Sequence, residues 1–234
     1  MRSIASLALC CLVPAAALAT EGTLTLHYQH RPPYSAAEAA GDVGGLVATP
    51  AAQALRGAGI AFQWMQTPAQ RQLALIQGGQ GRHCGVGWFR NAEREARGKF
   101  SRPLYRDLPY GAIVRAELPI ASGVRSADLI SDARFPVLVK EGFSYGPQLD
   151  ALLARAATPV RTSAEVASLP DMLRAKRAAW TLAAPEESTT LVGPGLRQIE
   201  FSDVPPGQAR HLYCSQDVPD DWMQRIDRAL GLLR

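Results

Sequence analysis

The chain has few aromatic residues, and its basic residues form no cluster. Aromatic residues make up 7% of the 234 residues, and the 25 basic residues, nearly all arginine, are spread along the sequence. With 21 acidic residues, the formal net charge is only +4 at pH 7. A nucleic-acid-binding surface usually combines a basic patch with aromatic rings that stack on bases. The sequence therefore predicts no nucleic-acid partner.

Cysteine is also scarce, which argues against a metal site. Apart from Cys10 and Cys11 near the amino terminus, the chain has only Cys84 and Cys214, and no CxxC motif. His83 adjoins Cys84, but neighbouring residues of a strand point to opposite faces. Two thiols without further partners supply too few ligands for a structural metal ion. We expect neither a metal nor a cofactor.

The most apolar segment lies at the amino terminus and is too short to span a membrane. Arg2 precedes the apolar residues 4–13, and Ala17-Leu18-Ala19 then gives a small-x-small cleavage pattern. This order is typical of a secretory signal peptide. We therefore expect a signal peptide over residues 1–19, cleavage after Ala19 and a mature protein in the periplasm.

Export affects the two cysteines that the mature chain keeps. In an oxidising compartment Cys84 and Cys214 are readily paired. The bridge would close a loop of about 130 residues, for which chain entropy predicts a large stabilisation. The alternative is a pair of buried free thiols.

Strand and helix patterns alternate over the first part of the mature chain. Strands are predicted over residues 24–28, 60–65 and 84–89. Thr-Pro pairs at residues 49–50 and 67–68 are typical helix starts and precede the intervening helices. Strand, helix, strand, helix, strand is the pattern of a parallel α/β sheet.

A second α/β section follows residues 100–110, which Pro103 and Pro109 interrupt and which we expect to be irregular. Its predicted elements are strands over residues 111–115, 136–139, 159–161, 180–183 and 198–201, with helices over residues 145–156 and 164–176. Pro170 either kinks the second helix or marks a new start.

The chain closes with a strand over residues 211–214 and an amphipathic helix from Asp220. Four residues of this helix have the spacing of an inward face: Trp222, Ile226, Leu230 and Leu233. A bridge from Cys214 to Cys84 would tie this section to the first sheet.

These patterns predict two lobes joined by two hinge strands. We expect lobe 1 to be discontinuous, with residues 20–113 and 203–234, and lobe 2 to comprise residues 114–202.

The most specific stretch of the sequence is Gly87-Trp88-Phe89-Arg90-Asn91-Ala92-Glu93-Arg94, followed by Phe100-Ser101-Arg102-Pro103-Leu104-Tyr105. It resembles the Thr-x-x-Arg and Phe-Ser-x-Pro-Tyr pattern of periplasmic solute-binding protein family 3. Weaker similarities follow in the family's order: Pro33-Tyr34, Gly45-Leu46 and residues 142–146. The resemblance implies the two-lobed type II periplasmic binding protein fold of polar amino-acid binding proteins. It also implies a small-molecule solute, no enzymatic activity, a monomer, and an inner-membrane permease or sensor as partner.

The same resemblance implies that Arg94 binds the carboxylate of the solute. A guanidinium offers a planar pair of donors that matches a carboxylate. Asn91 stands where the family has threonine, and it retains the ability to donate a hydrogen bond. The alternative for Arg94 is a surface position in an ion-pair cluster with Arg90, Glu93 and Arg97.

Other candidate ligand contacts come from both lobes. The family's acidic residue for the ammonium of an amino acid would fall near Ala184, and Glu186 or Glu187 is the candidate replacement. Tyr34 and Trp88 lie at the ends of predicted strands, where ligands dock on α/β sheets; each is either a ligand wall or simple packing. Arg71 lies in the first turn of a helix and is either an anion contact or a solvated residue.

The segment Gly142-Phe143-Ser144-Tyr145-Gly146 has two interpretations. It matches the G-x-S-x-G nucleophile elbow of serine hydrolases, and Asp203 and His211 follow in the order those enzymes use. No HGGG-like oxyanion segment precedes it, however. In a binding protein, Ser144, Tyr145 and Gly146 would present a hydroxyl and N–H groups to an anion. We favour binding, with the hydrolase as one alternative and a non-binding interaction module as another.

Overall fold

The computed structural model describes residues 22–156 and 159–233. The expected signal peptide over residues 1–19 and its cleavage site lie outside the described residues. No helix in the described ranges has the length and hydrophobicity needed to cross a membrane.

The elements alternate as an α/β protein requires. The strands are β1 (Leu24–Tyr28), β2 (Ala36–Ala37), β3 (Val43–Gly44), β4 (Phe62–Gln66), β5 (His83–Phe89), β6 (Lys99–Arg106), β7 (Gly111–Arg115), β8 (Val137–Lys140), β9 (Val160–Thr162), β10 (Trp180–Ala183), β11 (Leu196–Glu200) and β12 (Ala209–Cys214). The helices are α1 (Ala48–Gly57), α2 (Ala69–Gln77), α3 (Ala92–Glu95), α4 (Ser126–Ser131), α5 (Pro147–Leu153), α6 (Leu169–Arg174), α7 (Ser188–Leu191) and α8 (Asp220–Leu232). Single 3-10 turns cover Ala39–Gly41, Val166–Ser168 and Pro185–Glu187.

The first sheet has the strand order β4-β1-β5-β12-β6. Strands β1, β4 and β5 are parallel, and β12 runs antiparallel to both β5 and β6. We call this sheet, with helices α1, α2, α3 and α8, lobe 1. The irregular segment that we expected over residues 100–110 is wrong, because most of it forms β6. Pro103 is tolerated there because β6 is an edge strand, a position in sheets that admits proline.

The second sheet has the order β11-β7-β10-β8-β9. Strands β8, β9 and β10 are parallel, whereas β7 runs antiparallel to its two neighbours. We call this sheet, with helices α4 to α7, lobe 2. Pro170 lies in the first turn of α6, so it marks a new helix start after a 3-10 turn rather than a kink.

Helices cover both faces of each sheet. In lobe 1, Leu55 of α1 and Ile226 of α8 pack in the core on one face, and Ile76 of α2 packs with Tyr213 on the other. In lobe 2, Leu149 of α5 and Leu173 of α6 are buried in two separate clusters. The predicted α/β class is therefore confirmed. Several details were wrong: β2, β3, α4 and α7 were not predicted, and Leu233 follows the last turn of α8 with 48% of its surface exposed.

The lobes are connected twice. Residues 107–110 lead from β6 in lobe 1 to β7 in lobe 2, and residues 201–208 return from β11 to β12. The predicted disulfide is confirmed: Cys84 of β5 and Cys214 of β12 stand opposite each other and are bonded. The bridge ties the returning strand to the parallel part of the lobe 1 sheet.

Candidate functional site

The carboxyl ends of the central strands of both lobes meet at one cleft. Residues that follow β1, β4 and β5 face residues that follow β8 and β10, the position where open α/β sheets bind ligands. The cleft contains a cavity of about 30 Å³, enough for one or two water molecules. Lobe 1 lines it with Gln29, Arg31, Val86, Gly87, Trp88, Phe89, Arg94 and Arg210, and lobe 2 with Gly142, Phe143 and Ser144.

Arg94 is a buried arginine at the wall of this cavity. Only 6% of its surface is exposed, because α3 turns the side chain inward beneath the end of β5. Its Nη1 donates to the Phe89 carbonyl at 2.8 Å, and its Nη2 donates to the Gly142 carbonyl of lobe 2 at 3.0 Å. The guanidinium also lies 4.8 Å from the ring centre of Trp88. The alternative of a surface ion-pair cluster is therefore wrong for Arg94; the exposed pair here is Arg90 with Glu95.

No ion pair of the described chain includes Arg94. Its partners are carbonyl oxygens and an aromatic ring, which carry no full negative charge. Burial lowers the pKa of Arg94, and the field of the Asp150 carboxylate opposes that shift. An arginine stays protonated in spite of such a shift. The cavity therefore has a charged donor without a matching anion.

The other two arginines of the cavity each bind a carboxylate with two hydrogen bonds. Arg31 donates from Nε and Nη2 to Glu187 of lobe 2, both at 2.6 Å. Arg210 donates from Nε and Nη2 to Asp107 of the first connection, at 2.7 and 2.6 Å. Both pairs are buried, so their charges cancel locally.

Tyr34 lies between these two pairs rather than at the cavity. The guanidinium carbons of Arg31 and Arg210 lie 5.0 and 4.0 Å from its ring centre. Its hydroxyl is buried, and within the described residues it has no hydrogen-bond partner. The ring thus separates two guanidiniums that would otherwise repel each other at close range.

Glu186 joins the lobes beside the cavity. Its Oε1 accepts hydrogen bonds from the Tyr105 hydroxyl at 2.9 Å and from the Leu108 N–H at 2.8 Å. Its Oε2 is buried without a partner among the described residues. Neither acidic candidate lines the cavity. Glu187 is bonded to Arg31, and Glu186 is bonded to Tyr105 of lobe 1 and to Leu108 of the first connection.

The loop after β8 forms the lobe 2 wall. The Ser144 hydroxyl donates to Asp150, and the Tyr145 N–H donates to the same carboxylate at 2.7 Å. The Tyr145 hydroxyl accepts from the Lys140 N–H at 2.9 Å. The groups that we expected to receive an anion are thus already bonded within lobe 2.

Gly142 is required where this loop meets lobe 1. Its φ of 74° lies in the left-handed region, which favours glycine. A Cβ at this position would lie 3.0 Å from the side-chain nitrogen of Gln70 in α2. The backbone of lobe 2 thus packs against side chains of α2, and the Gly142 carbonyl accepts the hydrogen bond from Arg94.

The structure brings Trp88, Arg94 and Ser144 to the cavity and places the remaining candidates elsewhere. The Trp88 ring lines the wall, and its N–H donates to Gln72 at 3.0 Å. The Asn91 side-chain oxygen caps α3 by accepting the Arg94 N–H at 2.9 Å. Arg71 is exposed on α2. Gly146 lines a different pocket, which lies beside the second connection.

The sequence did not identify Arg31, Arg210 or Phe143 as site residues. Arg31 precedes Pro32 and Pro33, and its position after β1 was a signal that it faces the cleft. Arg210 had no such signal, because its partner Asp107 is 103 residues away in the sequence.

The residues of the alternative hydrolase triad are not assembled. Ser144 donates to Asp150, Asp203 accepts the Ser126 N–H at 2.7 Å, and the His211 Nδ1 bonds to the Ser101 carbonyl at 2.7 Å. A catalytic triad needs the serine, histidine and acid hydrogen-bonded in series. The hydrolase alternative therefore has no geometric support.

The sequence matches no family model and no curated protein, but its fold matches many solved structures. An ancestral arginine-binding protein bound to arginine is 16% identical, with a TM-score of 0.71 over 91% of this chain and 92% of that chain. The arginine-bound form of truncated ArgBP from T. maritima is 17% identical, with a TM-score of 0.72 over 91% and 97%. The amino acid ABC transporter substrate-binding protein AbpA from Streptococcus pneumoniae, bound to L-arginine, is 16% identical, with a TM-score of 0.72 over 91% and 89%. The chain therefore has the two-lobed type II periplasmic binding protein fold, and the predicted fold class is confirmed.

Proposed function

We propose that this chain is an exported, non-enzymatic solute-binding protein that encloses a small carboxylate-bearing solute between its lobes. The observation that carries the proposal is Arg94, a buried guanidinium at the interlobe cavity that has no carboxylate partner in the described part of the chain. The fold supports it, because the similar structures include substrate-binding proteins of amino acid ABC transporters.

The surroundings of Arg94 fit this role. The Trp88 ring holds one face of the guanidinium, so the donors keep a fixed direction. Two of those donors bond to carbonyl oxygens. An incoming carboxylate takes the place of these oxygens and accepts stronger, charge-assisted hydrogen bonds. The Gly142 carbonyl belongs to the opposite lobe, so this exchange takes place when the lobes separate.

Capture requires opening, because the cavity is smaller than an amino acid or a short organic acid. The two connections serve as the hinge, and the lobes close again over the bound solute. Contacts from both lobes then favour the closed form by the difference in affinity between the two states. An inner-membrane permease or sensor reads the closed form, and the binding protein itself acts as a monomer.

Export is part of the same proposal. A signal peptide over residues 1–19 directs the chain to the periplasm and is removed after Ala19. Intact-mass measurement of the protein recovered from periplasm should give the mass of residues 20–234 with one disulfide. A mass that retains the leader, or carries a lipid on Cys11, would overturn this part.

The binding role is tested by a thermal-shift screen against small carboxylates and amino acids, followed by calorimetry of the positive solutes. Arg94→Ala should weaken binding by about 100-fold or more, since it removes a charged, buried donor. Arg90→Ala is the matched control, because this arginine is exposed and pairs with Glu95 on the surface. Equal affinity of the Arg94→Ala variant and the wild type would refute the role of Arg94.

A further inference from the structure

Three charged residues line the cavity, all of them arginines, and within the described chain only Arg94 has no carboxylate bonded to it. Arg31 is neutralised by Glu187 and Arg210 by Asp107, each through two short hydrogen bonds. Another cation, Lys140, does not line the cavity, and its Nζ lies 5.5 Å from the centre of the Phe143 ring. Among the residues that line the cavity, Arg94 is therefore the one cation without a bonded carboxylate, and the Asp150 carboxylate acts on it only from a distance.

The carboxylates near the cavity are already occupied by this chain's own groups. Glu187 and Asp107 hold arginines, and Asp150 accepts from the Ser144 hydroxyl and the Tyr145 N–H. The unpartnered oxygen of Glu186 belongs to a residue that does not line the cavity. No carboxylate of the described wall is available for a second, positively charged group on the solute.

An ammonium group would be poorly accommodated here. It would lie among three guanidiniums without an anion of its own, and burial of an uncompensated charge is strongly unfavourable. Arg31 reaches across the cleft, occupies the Glu187 carboxylate with two hydrogen bonds and packs 4.9 Å from the Phe143 ring centre, so this carboxylate is not open to such a group.

We propose, on the basis of the proposed function, that the solute is a small monocarboxylate without an ammonium group. Arg31 is the residue that determines this specificity. It binds Glu187 from within the chain and so excludes the zwitterionic amino acids, while Arg94 receives the single negative charge. The neutral Gln29 side chain of lobe 1 and the Phe143 ring of lobe 2, which both line the cavity, suit a hydroxyl group and an apolar chain.

The experiment compares pairs of acids that differ only in whether carbon 2 carries a hydroxyl group or an ammonium group. The pairs are L-lactate with L-alanine, 2-hydroxy-4-methylpentanoate with L-leucine, 3-phenyllactate with L-phenylalanine, and 2-hydroxy-5-guanidinopentanoate with L-arginine. Calorimetry on the full mature protein should show one or more hydroxy acids binding at least about ten-fold more tightly than the matching amino acid.

Arg31→Gln should release Glu187 and reverse this preference by about ten-fold or more in favour of the amino acid. Arg56→Gln is the matched control, because Arg56 also pairs with a carboxylate, Asp42, but on the exposed surface. Glu187→Gln provides an independent readout that does not depend on the folding of the first variant. It leaves Arg31 without its carboxylate, so succinate and malate should gain affinity relative to lactate.

The outcomes separate the two proposals. If the wild type binds an amino acid more tightly than its hydroxy analogue, and Arg94→Ala abolishes that binding, the inference fails while the solute-binding function stands. The inference also fails if neither Arg31→Gln nor Glu187→Gln changes the preference. If no acid of either series binds to the wild type, both proposals fall.

Discussion

Lobe 1 lines the cavity with three buried guanidiniums, whereas lobe 2 lines it with a loop backbone, one phenyl ring and a hydroxyl that is already bonded. Two of these, Arg94 and Arg210, are positioned by strands β5 and β12, which the disulfide joins, and Arg31 follows β1. The lobe 2 loop is held by its own hydrogen bonds to Asp150. The comparison assigns recognition of charge to lobe 1 and covering of the solute to lobe 2. It also predicts that the two lobes differ in what stabilises them.

The disulfide, which only lobe 1 has among the described residues, should give the largest difference in stability between the lobes. Cys84→Ser with Cys214→Ser should lower the free energy of unfolding by about 4–5 kcal/mol, since the bridge closes a loop of 130 residues. Hydrogen exchange should locate the loss in β5 and β12, with smaller changes in lobe 2. Reductant should destabilise the wild type and leave the double variant unaffected. Equal chemical denaturation curves for the two proteins would contradict this prediction.

The buried pair of Asp107 with Arg210 gives the next largest effect. Asp107→Asn leaves a guanidinium with 4% exposure among aromatic rings and should cost about 3–5 kcal/mol of stability. Asp42→Asn is the matched control: its partner Arg56 is exposed, so the loss should stay below about 1 kcal/mol. Thermal and urea denaturation measure both. Similar losses for the two variants would mean that burial does not distinguish the pairs.

A buried histidine makes lobe 1 sensitive to acid. His27 bonds through Nδ1 to Thr67 and through Nε2 to His83, and burial, with help from His83 and Arg71, lowers its pKa from 6.5 to about 4. Below pH 6.5 the unfolded chain therefore binds a proton that the folded chain does not. The contribution of His27 to the free energy of unfolding should fall as the pH drops from about 6.5 to 4, by on the order of 3 kcal/mol, and this contribution should level off below pH 4.

His27→Gln isolates this contribution to the pH dependence. Burial also lowers the pKa of His211, which adds a component of the same sign to the wild type. In the variant, the free energy of unfolding should still change with pH through His211. Most of its remaining dependence on pH between 6.5 and 4 should be lost. Urea denaturation across this range measures both proteins. A variant with the wild-type slope would exclude His27 as the source.

The sequence predicted the elements whose signals are local and missed those that depend on distant partners. Strands β1, β7 and β10 agree with the structure residue for residue because alternation or apolar runs mark them. Strand β6 was missed because Pro103 argues against a strand unless its edge position is known. Helix α4 was missed because six residues are too few to show a helical period.

The residues of the candidate site were likewise predicted where the signal was local and missed where it depended on distant partners. Arg94 and Trp88 were found because a short motif carries them. Arg210 was missed because its role depends on Asp107, which reaches it only through the fold. The Ser144 hydroxyl was assigned to an anion because the sequence does not show that Asp150, six residues later, turns back to accept it.

Asp150 provides the smallest and most specific test of the comparison between lobes. Its carboxylate holds the lobe 2 loop, and its field reaches Arg94, where it favours the charged form of the guanidinium. The same field repels an anionic solute, so Asp150→Asn should tighten binding of a carboxylate by about three-fold while lowering stability by about 1–2 kcal/mol. Asp171→Asn is the control, since Asp171 pairs with Arg174 on the exposed face of lobe 2 and should change neither quantity appreciably. Calorimetry at two salt concentrations measures the effect, and high salt should reduce the gain. Weaker binding of the Asp150→Asn variant would show instead that lobe 2 uses this carboxylate to orient the solute, and the division of roles between the lobes would be wrong.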